Sequence, residues 1–125
     1  MDFSYIINNY KISERQGYLD VSLPIVMDMS ENNCNLILTI LPDESGYEVY
    51  STDGMFKRSG YSAKECFDRY AADENNCTYG IKLEGGRFTK KYSSSDNPVF
   101  ALDDFIKFFV LFNEFVMRGG EEVDW

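Results

Sequence analysis

A chain of 125 residues with 44% apolar content and a net charge of −9 is sized for one domain around a single core. It holds no histidine, which excludes His-dependent hydrolases and nucleases and His-ligated metals, and leaves carboxylate, lysine or tyrosine chemistry for any enzyme. No apolar run approaches the roughly 20 residues of a membrane-spanning helix, and the acidic balance, with no basic residue between Arg15 and Lys57, disfavours contact with phosphate backbones.

Taken in order, Phe3, Ile6, Ile7 and Tyr10 recur at helical spacing and predict a short helix over about 2–10. YLDVSLPIV then alternates Leu19, Val21 and Leu23 against Asp20 and Ser22, a strand with one wet face that Pro24 either ends or places at an edge. CNLILTIL (34–41) is almost wholly apolar and predicts a central strand closed by Pro42. The acidic PDESG (42–46) is a turn, and it joins this strand to YEVYST (47–52) as an antiparallel hairpin.

Ser62 with Glu65 three residues on gives the spacing of a capping box, so a helix follows with Ala63, Cys66, Phe67 and Tyr70 as its apolar side and Asn75-Asn76 as its end. Two alternating segments flank Gly85-Gly86, a pair suited to a tight primed hairpin turn. Phe105, Phe108, Phe109, Phe112, Phe115 and Val116 mark the core stripe of a last helix, which starts at Pro98 or at Asp103 and is capped by Gly119. The expected fold is α+β, a mainly antiparallel sheet of about five strands in the order α-β-β-β-α-β-β-α, within one domain over 1–120 and an acidic tail over 121–125.

Cys34, Cys66 and Cys77 match no metal-ligand spacing and read as reduced, partly buried thiols. The first residues carry no basic region and no small-residue cleavage site, so the cytosol is the expected compartment. Val21-Ser22-Leu23-Pro24, the apolar run Leu36 to Leu41 and the turn Ser51-Thr52-Asp53-Gly54 together resemble a family of small bacterial and phage proteins with a domain of unknown function, over roughly residues 17–118. Its members carry a Thr-Asp-Asp-Gly turn where this chain has a single aspartate. The resemblance implies phage or mobile-element company and assigns no reaction.

Asp53 beside Gly54 is a turn-former, because aspartate accepts from nearby backbone N–H groups and glycine accepts positive φ. Asp20, Asp28, Glu48 and Asp53 with Lys57 are the one set that could hold Mg²⁺ if the strands converge. Neither phosphate-loop motif occurs. The tail sequence EEVD (121–124) matches a chaperone C-terminus except that Trp125 follows it.

The leading expectation is therefore a non-enzymatic binding protein without cofactor or metal. It would present Asp20, Asp28, Glu31, Asp43, Glu44 and Glu48 to a host protein with a basic surface, as an inhibitor encoded by a phage or mobile element. A secondary patch of Lys82, Arg87, Lys90 and Lys91, with Trp125 as an anchor, is the other candidate surface, solvated or facing an acidic partner. An oligomerising structural or regulatory domain, including a homodimer, is the second reading. A carboxylate-dependent metal enzyme is the third.

Overall fold

A computed structural model describes residues 11–26, 35–52 and 63–118 of the chain. They form β1 (Lys11–Arg15), β2 (Tyr18–Val26), β3 (Asn35–Pro42), β4 (Gly46–Thr52), helix α1 (Ala63–Ala72), β5 (Lys82–Glu84), β6 (Arg87–Ser93) and helix α2 (Pro98–Met117). The strands pair antiparallel throughout in one sheet of order β1-β2-β3-β4-β6-β5. The α+β class stands, and the sheet has six strands rather than about five. The helix expected over 2–10, Ser62 of the capping box and the cap at Gly119 lie outside the described residues.

The additional strand is β1. Its five residues contain one apolar side chain, Ile12, which packs partly buried against the core. A strand at the edge needs only one such contact, and its charged residues protect the unpaired side from aggregation. The turn back into β2 ends on Gly17 at φ 86°, a conformation that L side chains disfavour.

β2 also runs further than expected, through Pro24 to Val26. The pairing with β1 stops at Ser22, and the register against β3 shifts between Ser22 and Val26. Pro24 lies inside that irregularity, where its missing N–H breaks no regular ladder bond.

The remaining turns follow their sequence signals. Gly85 and Gly86 both take positive φ, 58° and 76°, as a primed two-residue turn between β5 and β6 requires. Asn97 caps α2, its Oδ1 accepting from the Val99 N–H at 2.9 Å, and Pro98 occupies the first turn, so α2 starts at Pro98. α1 ends at Ala72, and the Asn76 side-chain amide donates to the Tyr70 carbonyl to close its last turn.

Both described helices lie on one face of the sheet. Phe88 of β6 makes ring contacts with Phe67 of α1 at 5.9 Å and with Phe108, Phe109 and Phe112 of α2 at 5.8, 5.3 and 5.6 Å. Tyr70 meets the edges of Phe108 and Phe112, which places α1 against α2 as well as against the sheet. Aromatic pairs of this geometry add about 0.5–1.5 kcal/mol each beyond the area they bury. Leu19, Val21, Leu23, Leu36, Leu38, Ile40 and Val49 complete the core from the strands. No described helix is long and apolar enough to cross a membrane.

Candidate functional site

Side chains alternate across a strand, so the residues between the core positions line the opposite face, which no described helix covers. The register arranges them in three rows. The middle row runs Ser13, Asp20, Thr39, Tyr50, Thr89, Lys82. To one side lie Arg15 opposite Tyr18, and then Leu41, Glu48 and Lys91, with Tyr18 and Leu41 each one residue past the Leu19–Ile40 pair. To the other side lie Ser22 opposite Ile37, and Arg87 opposite Glu84.

Three large apolar side chains stand out on this face: Tyr18 is 37% exposed, Ile37 47% and Leu41 36%. Ile37 and Leu41 belong to β3, which is hydrogen-bonded to neighbours on both sides. The almost unbroken apolar run that predicts a central strand is therefore half core and half surface. Leu36, Leu38 and Ile40 point into the helical layer, while Ile37 and Leu41 point to water. An apolar run signals a strand apolar on both faces, and it was that signal, not the acidic stretch, that marked this surface. Tyr18 and Tyr50, the latter with the Arg87 guanidinium 4.2 Å above its ring, also escaped notice as site residues.

The predicted acidic residues separate into three groups. Asp20 accepts from Thr39 Oγ1 at 2.8 Å and lies 3.6 Å from Arg15, so its charge is balanced within the sheet. Glu48 accepts from the Thr89 hydroxyl and sits beside Leu41 and Lys91. Asp43 and Glu44 occupy the β3–β4 turn that follows Leu41. There Asp43 Oδ1 accepts from the Ser45 N–H at 2.9 Å and the Gly46 N–H at 2.8 Å, and the Ser45 N–H foremost holds its carboxyl below the usual carboxylate range. Glu48, Asp43 and Glu44 thus collect at one end of the open face, Asp20 does not join them, and Asp28 and Glu31 lie outside the described residues.

The basic patch divides as well. Lys82, Arg87 and Lys91 are on the open face at its β5–β6 end. Lys90 is not, because adjacent strand residues face opposite ways. Its Nζ reaches the helical side, 3.1 Å from Asp104 Oδ2 of α2, and donates to the Tyr79 carbonyl at 2.8 Å. The Tyr92 hydroxyl donates to the same Asp104 oxygen at 3.0 Å. Lys90 is therefore a clamp between sheet, helix and the Tyr79–Gly80 turn, on the opposite strand face from Lys91, and it lines one groove together with Lys82 and Lys91. Trp125 lies outside the described residues.

Metal chemistry finds no support in the described residues, where no cluster of three potential ligands occurs. Asp20 and Glu48 share a face but stand on β2 and β4, two strand spacings or about 10 Å apart. Asp28, Asp53 and Lys57 of that proposed set are outside the described residues. Cys66 is buried and Cys77 exposed, the latter in a groove of about 370 Å³ between the end of α1 and the end of α2; Cys34 is outside the described residues. Comparison with protein-family models, with curated proteins and with solved structures gave no significant match in any of the three, so the open face is read from its own geometry.

Proposed function

We propose that the protein acts by binding another protein through the open face of its sheet. The observation that carries this reading is the exposure of Ile37 and Leu41 on a strand that sits inside the sheet, with Tyr18 beside Leu41. Covering what these three side chains still show to water would contribute on the order of a few kcal/mol at about 25 cal/mol per Å². The acidic end of the face, Glu48 with Asp43 and Glu44, lies against Leu41 and favours a partner whose apolar contact is flanked by lysine or arginine. The net charge of −9 works in the same direction at longer range. In its narrower form the reading is of a non-enzymatic inhibitor, encoded by a phage or mobile element, that occupies a basic surface on a host defence or nucleic-acid-processing protein. The charge and the resemblance to small phage and bacterial proteins support that form.

A photo-crosslinking side chain placed at position 37, compared with one at Phe100 on the opposite layer, tests the reading in host-cell extract. Phe100 is 69% exposed, so both probes are accessible. The expected result is an adduct with a basic protein from position 37 only, weakened by salt and abolished by Leu41→Lys. An adduct between two copies of the chain would replace this reading with the oligomeric one. Equal adducts from both positions, or none, would defeat it.

A further inference from the structure

The apolar side chains of the open face form a strip that follows one strand. Ile37 and Leu41 stand on β3 with Thr39 between them, all three on the side away from the described helices. Four residues of strand separate Ile37 from Leu41 by about 13 Å. Tyr18 on β2 flanks the Leu41 end, and Tyr50 on β4 lies opposite Thr39. The Thr39 hydroxyl donates to Asp20 Oδ1 at 2.8 Å, so the donor in the middle of the strip is already met. Basic side chains keep their distance from it. Arg15 is on β1, Arg87 and Lys91 are on β6 and Lys82 is on β5, each two or three strands from β3. The strip is thus about two strand spacings wide, close to 10 Å.

These dimensions select the form of what can cover it. A strand cannot be added here, because β3 is hydrogen-bonded to β2 on one side and β4 on the other. A second sheet packed face to face would reach past β4 and carry Lys91 and Lys82 into a layer without water, where an unpaired charge is costly. A single α-helix is about 10 Å across, the width of the strip, and two of its turns rise about 11 Å, close to the Ile37–Leu41 spacing. Its backbone bonds are internal, so only its apolar stripe needs a counterpart. α1 and α2 meet the other face of the same sheet on those terms, through Phe67 and Phe108 against Phe88.

We infer that the partner docks an amphipathic α-helix lengthwise along β3, with apolar side chains seven or eight residues apart on Ile37 and Leu41. This docking mode rests on the protein-binding reading and gives the partner its form. Charge sets the remainder of the pattern. Glu48 stands opposite Leu41 and Glu44 in the turn that follows it, whereas Ile37 stands opposite Ser22. A lysine or arginine on the helix therefore belongs about one turn beyond the residue that meets Leu41.

An apolar photo-crosslinking side chain at position 37 and, in a second preparation, at position 41 of the full chain tests the docking mode. Each adduct from host-cell extract is digested and its site on the partner located by mass spectrometry. The two sites are expected in one segment of the partner, seven or eight residues apart, with a lysine or arginine within about four residues beyond the site met from position 41. Glu44→Lys is expected to lower the yield from position 41 about fivefold or more, and Glu74→Lys, in the turn after α1, to leave it unchanged. Sites four residues apart in an extended segment, sites in separate segments, or a yield indifferent to Glu44→Lys overturn the inference and leave the protein-binding reading standing. An adduct between two copies of the chain, or none from either position, overturns both.

Discussion

Asp43 and Gly46 divide the work of one turn, and neither can be replaced for the same reason. The Asp43 carboxylate gathers the Ser45 and Gly46 N–H groups and the Ser45 hydroxyl, so its side chain builds the turn while its charge stays in water. Replacing it to test an acidic contact would also loosen the hairpin, whereas Glu44 beside it serves as the cleaner probe of charge. Gly46 is buried and its constraint is space: an added Cβ would lie 2.1 Å from the Tyr92 carbonyl oxygen and 2.8 Å from Ser93 backbone atoms. The β4–β6 pairing would have to open to admit a methyl group. Gly46→Ala is expected to lower stability by about 2–3 kcal/mol, and Glu44→Ala by less than about 0.5 kcal/mol, in urea unfolding. Equal stability of the two variants would contradict the close approach. At this scale the sequence showed the turn but not its crowding, since glycine in PDESG reads as a turn residue whichever reason keeps it. Lys90 was grouped with Lys91 for a different cause: adjacent strand residues face opposite ways whatever the register, so reading RFTKKYS as a strand already parts them.

Among the elements, α2 was the most legible because six large apolar residues at helical spacing leave no other period to choose. Its stripe packs as expected: Phe105, Phe108, Phe109 and Phe112 are all 0% exposed. Phe108 sits where the layers meet, 5.9 Å from Phe67, 5.8 Å from Tyr70 and 5.8 Å from Phe88, and stacked on Phe112 at 5.4 Å. Removing that ring leaves a cavity bounded by both helices and the sheet, so Phe108→Ala should cost about 3–5 kcal/mol. Phe100→Ala, on the same helix but 69% exposed, should change stability by less than about 0.5 kcal/mol. Calorimetric melts that rank the two the other way would mean the helix is rotated from this packing. β1 was the least legible element, for the converse reason. With Ile12 alone to bury, it is held by backbone pairing to β2 and by one contact, and neither leaves a periodic trace in the sequence.

At the scale of the molecule, the division into a face that the described helices cover and one that they do not was not readable from the chain. Strand order decides which residues share a surface, and the acidic residues that are neighbours in sequence proved to be split between a turn, β4 and a sheet-internal pair with Arg15. The covered face has its own signature in solution, carried by its tyrosines. Tyr47 and Tyr70 are buried, with their hydroxyls donating to the carbonyls of Asp96 and Cys77 at 2.8 and 2.7 Å. Burial pushes both up to about 12, foremost by withholding water from the phenolate. Tyr92, stacked on Tyr47 at 5.2 Å, is raised further by burial and by the Asp104 carboxylate that accepts its proton. In the unfolded chain these groups lose their protons near pH 10. Above that pH the unfolded state binds fewer protons than the folded one, so stability is complete below about pH 10 and falls as pH climbs towards 12. Lysines lose charge over the same interval, which deepens the net negative charge and lowers stability by another route. Tyr47→Phe with Tyr70→Phe separates the two effects, because it removes the linkage of these two phenols and leaves Tyr92 and the lysines unchanged. The double variant should melt lower than the parent at neutral pH, having lost two hydrogen bonds, yet show a shallower decline in Tm between pH 10 and 12. In the parent, the phenolate absorbance of the buried set should rise only as the fold is lost. A single stage near pH 10 with the fold intact would show that the tyrosines are open to water and that α1 and α2 do not close over this face.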